Sequence, residues 1–96
     1  MYARYFSFKS TPERRKDIEA LADDIVVYTR SLKGFVSATY LISEDETHYG
    51  SFTIWDSKQD AEAGGAAIRE KSMSTLEGLA TAPPEVVVVE VYQPKS

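Results

Sequence analysis

The sequence predicts an α+β domain: an antiparallel sheet of ferredoxin-like βαββαβ order with both helices on one face. Two observations carry this reading. Along 96 residues, segments of period-two and helical periodicity follow one another as strand, helix, strand, tight turn, strand, helix, strand. The strands are also apolar on both faces, most plainly at Val86-Val87-Val88-Val89-Glu90-Val91. Two helices hide only one face of a four-stranded sheet, and an apolar edge left open is an aggregation hazard. A second copy of the chain is therefore the expected cover, the alternative being a monomer whose terminal segment lies over that face. The whole chain, 1–96, reads as one domain, with no repeat, low-complexity segment or linker.

Each element has its own signature. Tyr2, Arg4, Phe6 and Phe8 alternate with Ala3, Tyr5 and Ser7, an aromatic-rich strand. Ser10-Thr11-Pro12-Glu13 opens a helix: either hydroxyl can accept from free backbone N–H groups, Pro12 lacks a donor where none is needed, and Glu13 suits the positive helix end. Ile18, Leu21, Ala22, Ile25, Thr29 and Leu32 then make one buried stripe, which Gly34 terminates in the left-handed conformation. Phe35 to Ser43 is the second strand, with Phe35 and Leu41 on one face and Val36, Ala38, Tyr40 and Ile42 on the other. Glu44-Asp45-Glu46-Thr47 connects it to the returning strand, His48 to Trp55.

Asp56 or Ser57 caps the second helix, with Asp60 completing a capping box. Gly64-Gly65 interrupts that helix at a cost of about 1 kcal/mol each relative to alanine, so a kink, a break or a close approach to the sheet is expected. Met73 to Ala82 reads as a short extra turn or an ordered loop before Pro83-Pro84, and Glu85 to Tyr92 is the last strand. Glu90, if buried, needs a partner, and Arg4 on the neighbouring first strand is the natural one.

Composition excludes several function classes. A net charge of −4 with no basic stripe argues against nucleic acid as a partner. The cluster Arg14-Arg15-Lys16 is bracketed by acids and reads as a solvated face. With no cysteine, thiolate catalysis and disulfides are excluded, and with one histidine no metal-ligand spacing appears. The longest aliphatic run, Val86 to Val89, is far too short to span a bilayer, and the N-terminus has no leader pattern. A cytoplasmic location without membrane attachment is the expectation.

The span from Gly34 through Trp55-Asp56-Ser57, with its flanking strands, resembles the antibiotic biosynthesis monooxygenase family of dimeric α/β barrels. The Gly34-Phe35 strand entry, the hairpin, and Phe52-Thr53-Ile54-Trp55 followed by a polar cap and an alanine-containing helix carry the likeness. The resemblance implies a homodimer joined through its sheet faces, with a pocket in each subunit between sheet and helices. It also implies oxygenation of quinols or polyketide aromatics without cofactor, although the family includes haem-degrading enzymes and members of no known activity. The haem-degrading branch needs a histidine in the second helix region, where this chain has Ala63-Gly64-Gly65, so the resemblance does not extend to haem. The aromatic-oxidising branch uses an asparagine near the tryptophan, and this chain contains no asparagine.

The candidate site residues follow from the chemistry. A cofactor-free oxygenase must ionise a phenol-like substrate, which calls for a base that titrates near working pH and a pocket for a flat ring. His48 is the only such base by its ordinary pKa, though its place beside a polar turn also suits a structural role. Trp55 can stack on a ring or fill core, and Tyr49 can supply a hydroxyl; these three are the catalytic candidates. Tyr28, Tyr40 and Phe52 are candidate ligand contacts, joined by Gly64 and Gly65, whose missing side chains make room either for a ligand or for close packing. Strand parity sets Tyr49, Ser51, Thr53 and Trp55 on one face and His48, Gly50, Phe52 and Ile54 on the other, so His48 and Trp55 share a pocket only if a bulge at Gly50 intervenes. A small homodimeric oxygenase is one reading; a non-catalytic module that binds an apolar ligand or dimerises is the second. An isomerase or lyase on the same scaffold is the third.

Overall fold

The computed structural model describes residues 1–95. Six elements follow in order: β1 (Tyr2–Lys9), α1 (Arg15–Arg30), β2 (Phe35–Ile42), β3 (His48–Trp55), α2 (Lys58–Glu77) and β4 (Glu85–Glu90). The four strands form one antiparallel sheet in the order β2-β3-β1-β4, and both helices pack on the same side of it. This is the ferredoxin-like arrangement that the alternating periodicities predict.

Helix α1 begins differently from its sequence signal. Thr11 makes no side-chain cap; Pro12–Arg14 forms a single 3-10 turn that leads into α1, and the Ser10 hydroxyl donates instead to the Leu79 carbonyl at 2.6 Å. The stripe buries Ile18, Ile25 and Thr29, and the chain leaves through Gly34 at φ 80°, the left-handed conformation expected there. The connection between β2 and β3 is held by Asp45, whose carboxylate accepts from the Ser43 and Thr47 hydroxyls at 2.8 and 2.7 Å. Those bonds, Thr47 first, hold the Asp45 carboxyl below its ordinary pKa.

Three expectations are corrected. Helix α2 runs unbroken through Gly64-Gly65 to Glu77, so of the outcomes expected there the break does not occur and the close approach to the sheet does, and the helix absorbs much of the stretch read as a separate turn. Its far end is anchored by Leu76, which joins Leu79, Phe8, Ile18 and Tyr49 in one apolar cluster. That burial outweighs the weak helix propensity of the two glycines. Phe35 does not share a face with Leu41: a bulge between Phe35 and Ser37 sets it opposite Trp55, on the helix-facing side with Ala38, Tyr40 and Ile42. Finally, Glu90 is solvent-exposed and lies opposite Tyr2, while Arg4 lies opposite Val88, so the two form no ion pair.

The outer sheet face carries no helix. Tyr5, Phe52 and Val87 adjoin in register across β3, β1 and β4 and are 38%, 37% and 52% exposed, an unusual accumulation of large apolar groups on one surface.

Candidate active-site cleft

The helix-facing side of β3 reads large, small, small, large: Tyr49, Ser51, Thr53, Trp55. At one end Phe8 and Tyr49 stack with centroids 5.7 Å apart, closing the apolar cluster. At the other, Trp55 meets Phe35 edge-on at 5.8 Å. Between these two plugs the small side chains of Ser51, Thr53 and Ala38 leave the helices standing off the sheet. The result is a cleft of about 1230 Å³ between the sheet and both helices. Phe6, Ile18 and Leu21 supply apolar wall, Tyr40, Ser51 and Thr53 supply hydroxyls, and Arg4 and Arg69 supply positive charge.

The structure separates the sequence-predicted residues. Trp55 is wholly enclosed, 0% exposed; its indole N–H donates to Thr53 Oγ1 at 2.9 Å, and Thr53 in turn donates to the Arg4 carbonyl at 3.3 Å. The indole lies behind Thr53 rather than on the cleft surface. Gly64 and Gly65 are both buried: a Cβ at Gly64 would overlap the Trp55 ring and one at Gly65 would overlap the Arg4 side chain. The space these glycines leave is thus taken by two protein side chains. Tyr49 lines the cleft with its ring, and its hydroxyl donates to the Thr11 carbonyl at 3.1 Å. Tyr40 lies on the cleft floor; burial pushes its phenol above the ordinary value, against weaker opposing effects of the Arg30 charge and the Thr29 hydroxyl.

The remaining candidates lie elsewhere. His48 pairs with Lys9 at the end of β3, on the face away from the helices, where Thr47 Oγ1 is 3.1 Å from its Nδ1. The β3 register on β1 is continuous, so no bulge brings His48 round to the Trp55 side. Phe52 lies on the outer face with Tyr5. Tyr28 packs against α2, with the Lys71 ammonium 4.9 Å from its ring centroid. Arg4 is the cleft residue that the sequence reading assigned elsewhere; its signal was parity, since it lies between Tyr2 and Phe6 on the helix-facing side of a central strand.

Comparison with known proteins now decides the family. The antibiotic biosynthesis monooxygenase profile matches residues 1–63, two thirds of the chain and the part that contains β1, α1, β2 and β3. The chain belongs to the antibiotic biosynthesis monooxygenase family.

Several solved structures share the fold. Protein Rv0793 of Mycobacterium tuberculosis superposes with a TM-score of 0.81 at 23% identity, over 99% of this chain and 98% of that one. A monooxygenase of Streptomyces coelicolor, solved with nanaomycin D, gives 0.79 at 25% identity over 99% of this chain and 90% of its own. A cofactor-independent oxygenase of Streptomyces nogalater, an N63A mutant, gives 0.78 at 16% identity over 97% and 95%. No curated protein sequence matches the chain. Among the described residues, no helix is long and apolar enough to cross a membrane, and no group of three His, Asp or Glu side chains stands close enough to hold a metal ion.

Proposed function

We propose that this family member is a homodimeric monooxygenase that works without cofactor on a small aromatic or quinol bound in the cleft between sheet and helices. The observation that carries the proposal is the cleft itself: an apolar, aromatic-walled space large enough for a fused-ring compound, with few polar groups converging on its floor. Its support outside this chain is that the Streptomyces coelicolor monooxygenase of the same fold was solved with the ligand nanaomycin D.

The chemistry needs no resident group in principle. An ionised phenol donates an electron to dioxygen, the two radicals join at a ring carbon as a hydroperoxide, and loss of water leaves a carbonyl on that carbon. One oxygen atom enters the product and the other leaves as water. In this reading Tyr40 stays protonated and orients the substrate through its hydroxyl, while Tyr49 and Trp55 fix the two ends of the cleft. His48 faces away and takes no part. The subunits join through the outer sheet faces, which removes Tyr5, Phe52 and Val87 from water.

The test is oxygen uptake by the purified protein with a panel of naphthalene and anthracene quinols. Uptake above the uncatalysed rate, reduced by Tyr40→Phe and by Ser51→Leu, which fills the cleft, supports the proposal. Tight binding of the same compounds with no uptake favours the non-catalytic, ligand-binding alternative.

A further inference from the structure

Arg4 is a buried cation without a counter-ion. It is 7% exposed, on the inner strand β1, with its side chain on the helix side where it lines the cleft. The side-chain ion pairs found among the described residues both belong to Arg15, with Glu19 and Glu46, and none involves Arg4. Its neighbour is another cation: Arg69, one turn beyond Gly65 on α2, lines the same cleft. Burial first, and Arg69 second, push the Arg4 pKa below its ordinary value. The Phe6 ring, 5.6 Å from the guanidinium carbon, offers it only a weak partner. Acids do stand around the cleft, Glu19 and Asp23 on α1 and Glu77 on α2, but all three are exposed.

A folded protein does not ordinarily keep an unpaired charge in its interior, because the desolvation it suffers is large. Here the fold makes room for one. Gly65 is the position where a Cβ would overlap the Arg4 side chain, so the glycine that weakens α2 is the one that admits the guanidinium. No buried side-chain nitrogen or oxygen is left without a partner among the described residues, so the Arg4 nitrogens that lack one reach the open space of the cleft. A guanidinium held this way has donors in a fixed fork, pre-set for a planar anionic oxygen.

We propose that Arg4, assisted by Arg69, is an anion seat that holds the negatively charged oxygen of a planar aromatic ligand. The proposal rests on the cleft being the substrate site and names the substrate class: a ring compound bearing either a carboxylate or an acidic phenol. For a phenol, the seat also removes the need for a base in the cleft. The O–H bond breaks, the proton passes to water, and the charge remains on the oxygen facing Arg4. That fits a cleft in which Tyr40 is held as a neutral phenol and from which the one histidine is excluded.

The experiment measures binding of 2-naphthoate and of its neutral methyl ester by titration calorimetry, and the pKa of bound 4-nitrophenol by its absorbance. Wild-type protein should prefer naphthoate by roughly tenfold or more, or should lower the pKa of 4-nitrophenol on binding. The first result identifies a carboxylate ligand and the second a phenolate. Arg4→Met, which keeps the aliphatic stem, should abolish the preference while the ester still binds. Arg69→Met, an exposed change, should weaken the preference in part and serves if Arg4→Met does not fold. Equal binding of acid and ester with an unshifted nitrophenol overturns the anion seat and leaves the cleft reading standing. Binding of none of the three probes overturns both.

Discussion

The ring of Trp55 occupies the space that a side chain at position 64 would need. Phe35 stands edge-on to the same ring, and the Thr53 hydroxyl holds the indole N–H, so the ring has nowhere to retreat. Gly64→Ala should therefore destabilise the protein. Alanine is favoured over glycine in a helix by about 1 kcal/mol, while overpacking costs roughly 1–3 kcal/mol, and with the Trp55 ring held in place the net loss should lie towards the upper end of a range of about 0–2 kcal/mol. The urea midpoint should fall with unchanged slope, and adding Trp55→Phe should recover part of the loss. A midpoint at or above the wild-type value would show that the ring yields freely.

Thr53 links the enclosed tryptophan to the cleft, since its one oxygen accepts from the Trp55 N–H and donates to the Arg4 carbonyl. Thr53→Val keeps the shape and removes the oxygen, which leaves a buried indole donor unsatisfied. The expected loss is about 1–3 kcal/mol. Thr53→Ser, which keeps the hydroxyl, should lose clearly less in the same urea titration. Equal losses would assign the effect to the methyl group and to packing alone.

Periodicity made the fold legible, but the site only partly. The alternations of β1 and β3, the α1 stripe, Gly34 and the Ser57 cap all appear where local chemistry puts them; the Ser57 hydroxyl accepts from the Asp60 N–H at 3.0 Å. The parity of β3 also separated His48 from Trp55 correctly. What stayed hidden depends on partners far along the chain. The bulge after Phe35 has no glycine to mark it. The double glycine left a kink, a break and a close approach to the sheet all open, because the partners that settle it, Trp55 under Gly64 and Arg4 under Gly65, come from other strands. The cleft could have been read from the order Tyr49, Ser51, Thr53, Trp55, since two small side chains between two large ones leave space under a helix.

Tyr40 and Tyr49 should hold their protons into the alkaline range. Burial raises the phenols of Tyr40 and Tyr49 above the ordinary value of 10.0. The folded protein therefore keeps protons that the unfolded chain gives up. Their contribution to stability is full below that value and is lost as pH rises past it towards the folded pKa. In an alkaline titration followed at 295 nm, Tyr40 and Tyr49 should ionise above the ordinary phenol value. Tyr40→Phe and Tyr49→Phe should each remove one component above that value. Loss of a component at or below it in the Tyr40 variant would show that its phenol is free to ionise, and would reopen it as a base in the cleft.

Self-association is the remaining prediction, and the outer sheet face supplies its logic. Tyr5, Phe52 and Val87 meet in register on a surface that no helix covers, and β4 beside them ends the sheet with an apolar edge. At micromolar concentration the protein should sediment at twice its 10.7 kDa chain mass. Phe52→Lys and Val87→Lys place a charge in the centre of that face, where truncating or charging a buried anchor costs about 2 kcal/mol or more. Both should shift the dimer towards monomer by at least roughly thirtyfold in dissociation constant. Val27→Lys, on an exposed position of α1 and 68% exposed, should leave the dimer intact. A wild-type protein that sediments at the single-chain mass would overturn the face-to-face dimer, and loss of association in the Val27 variant alone would move the interface to the helices.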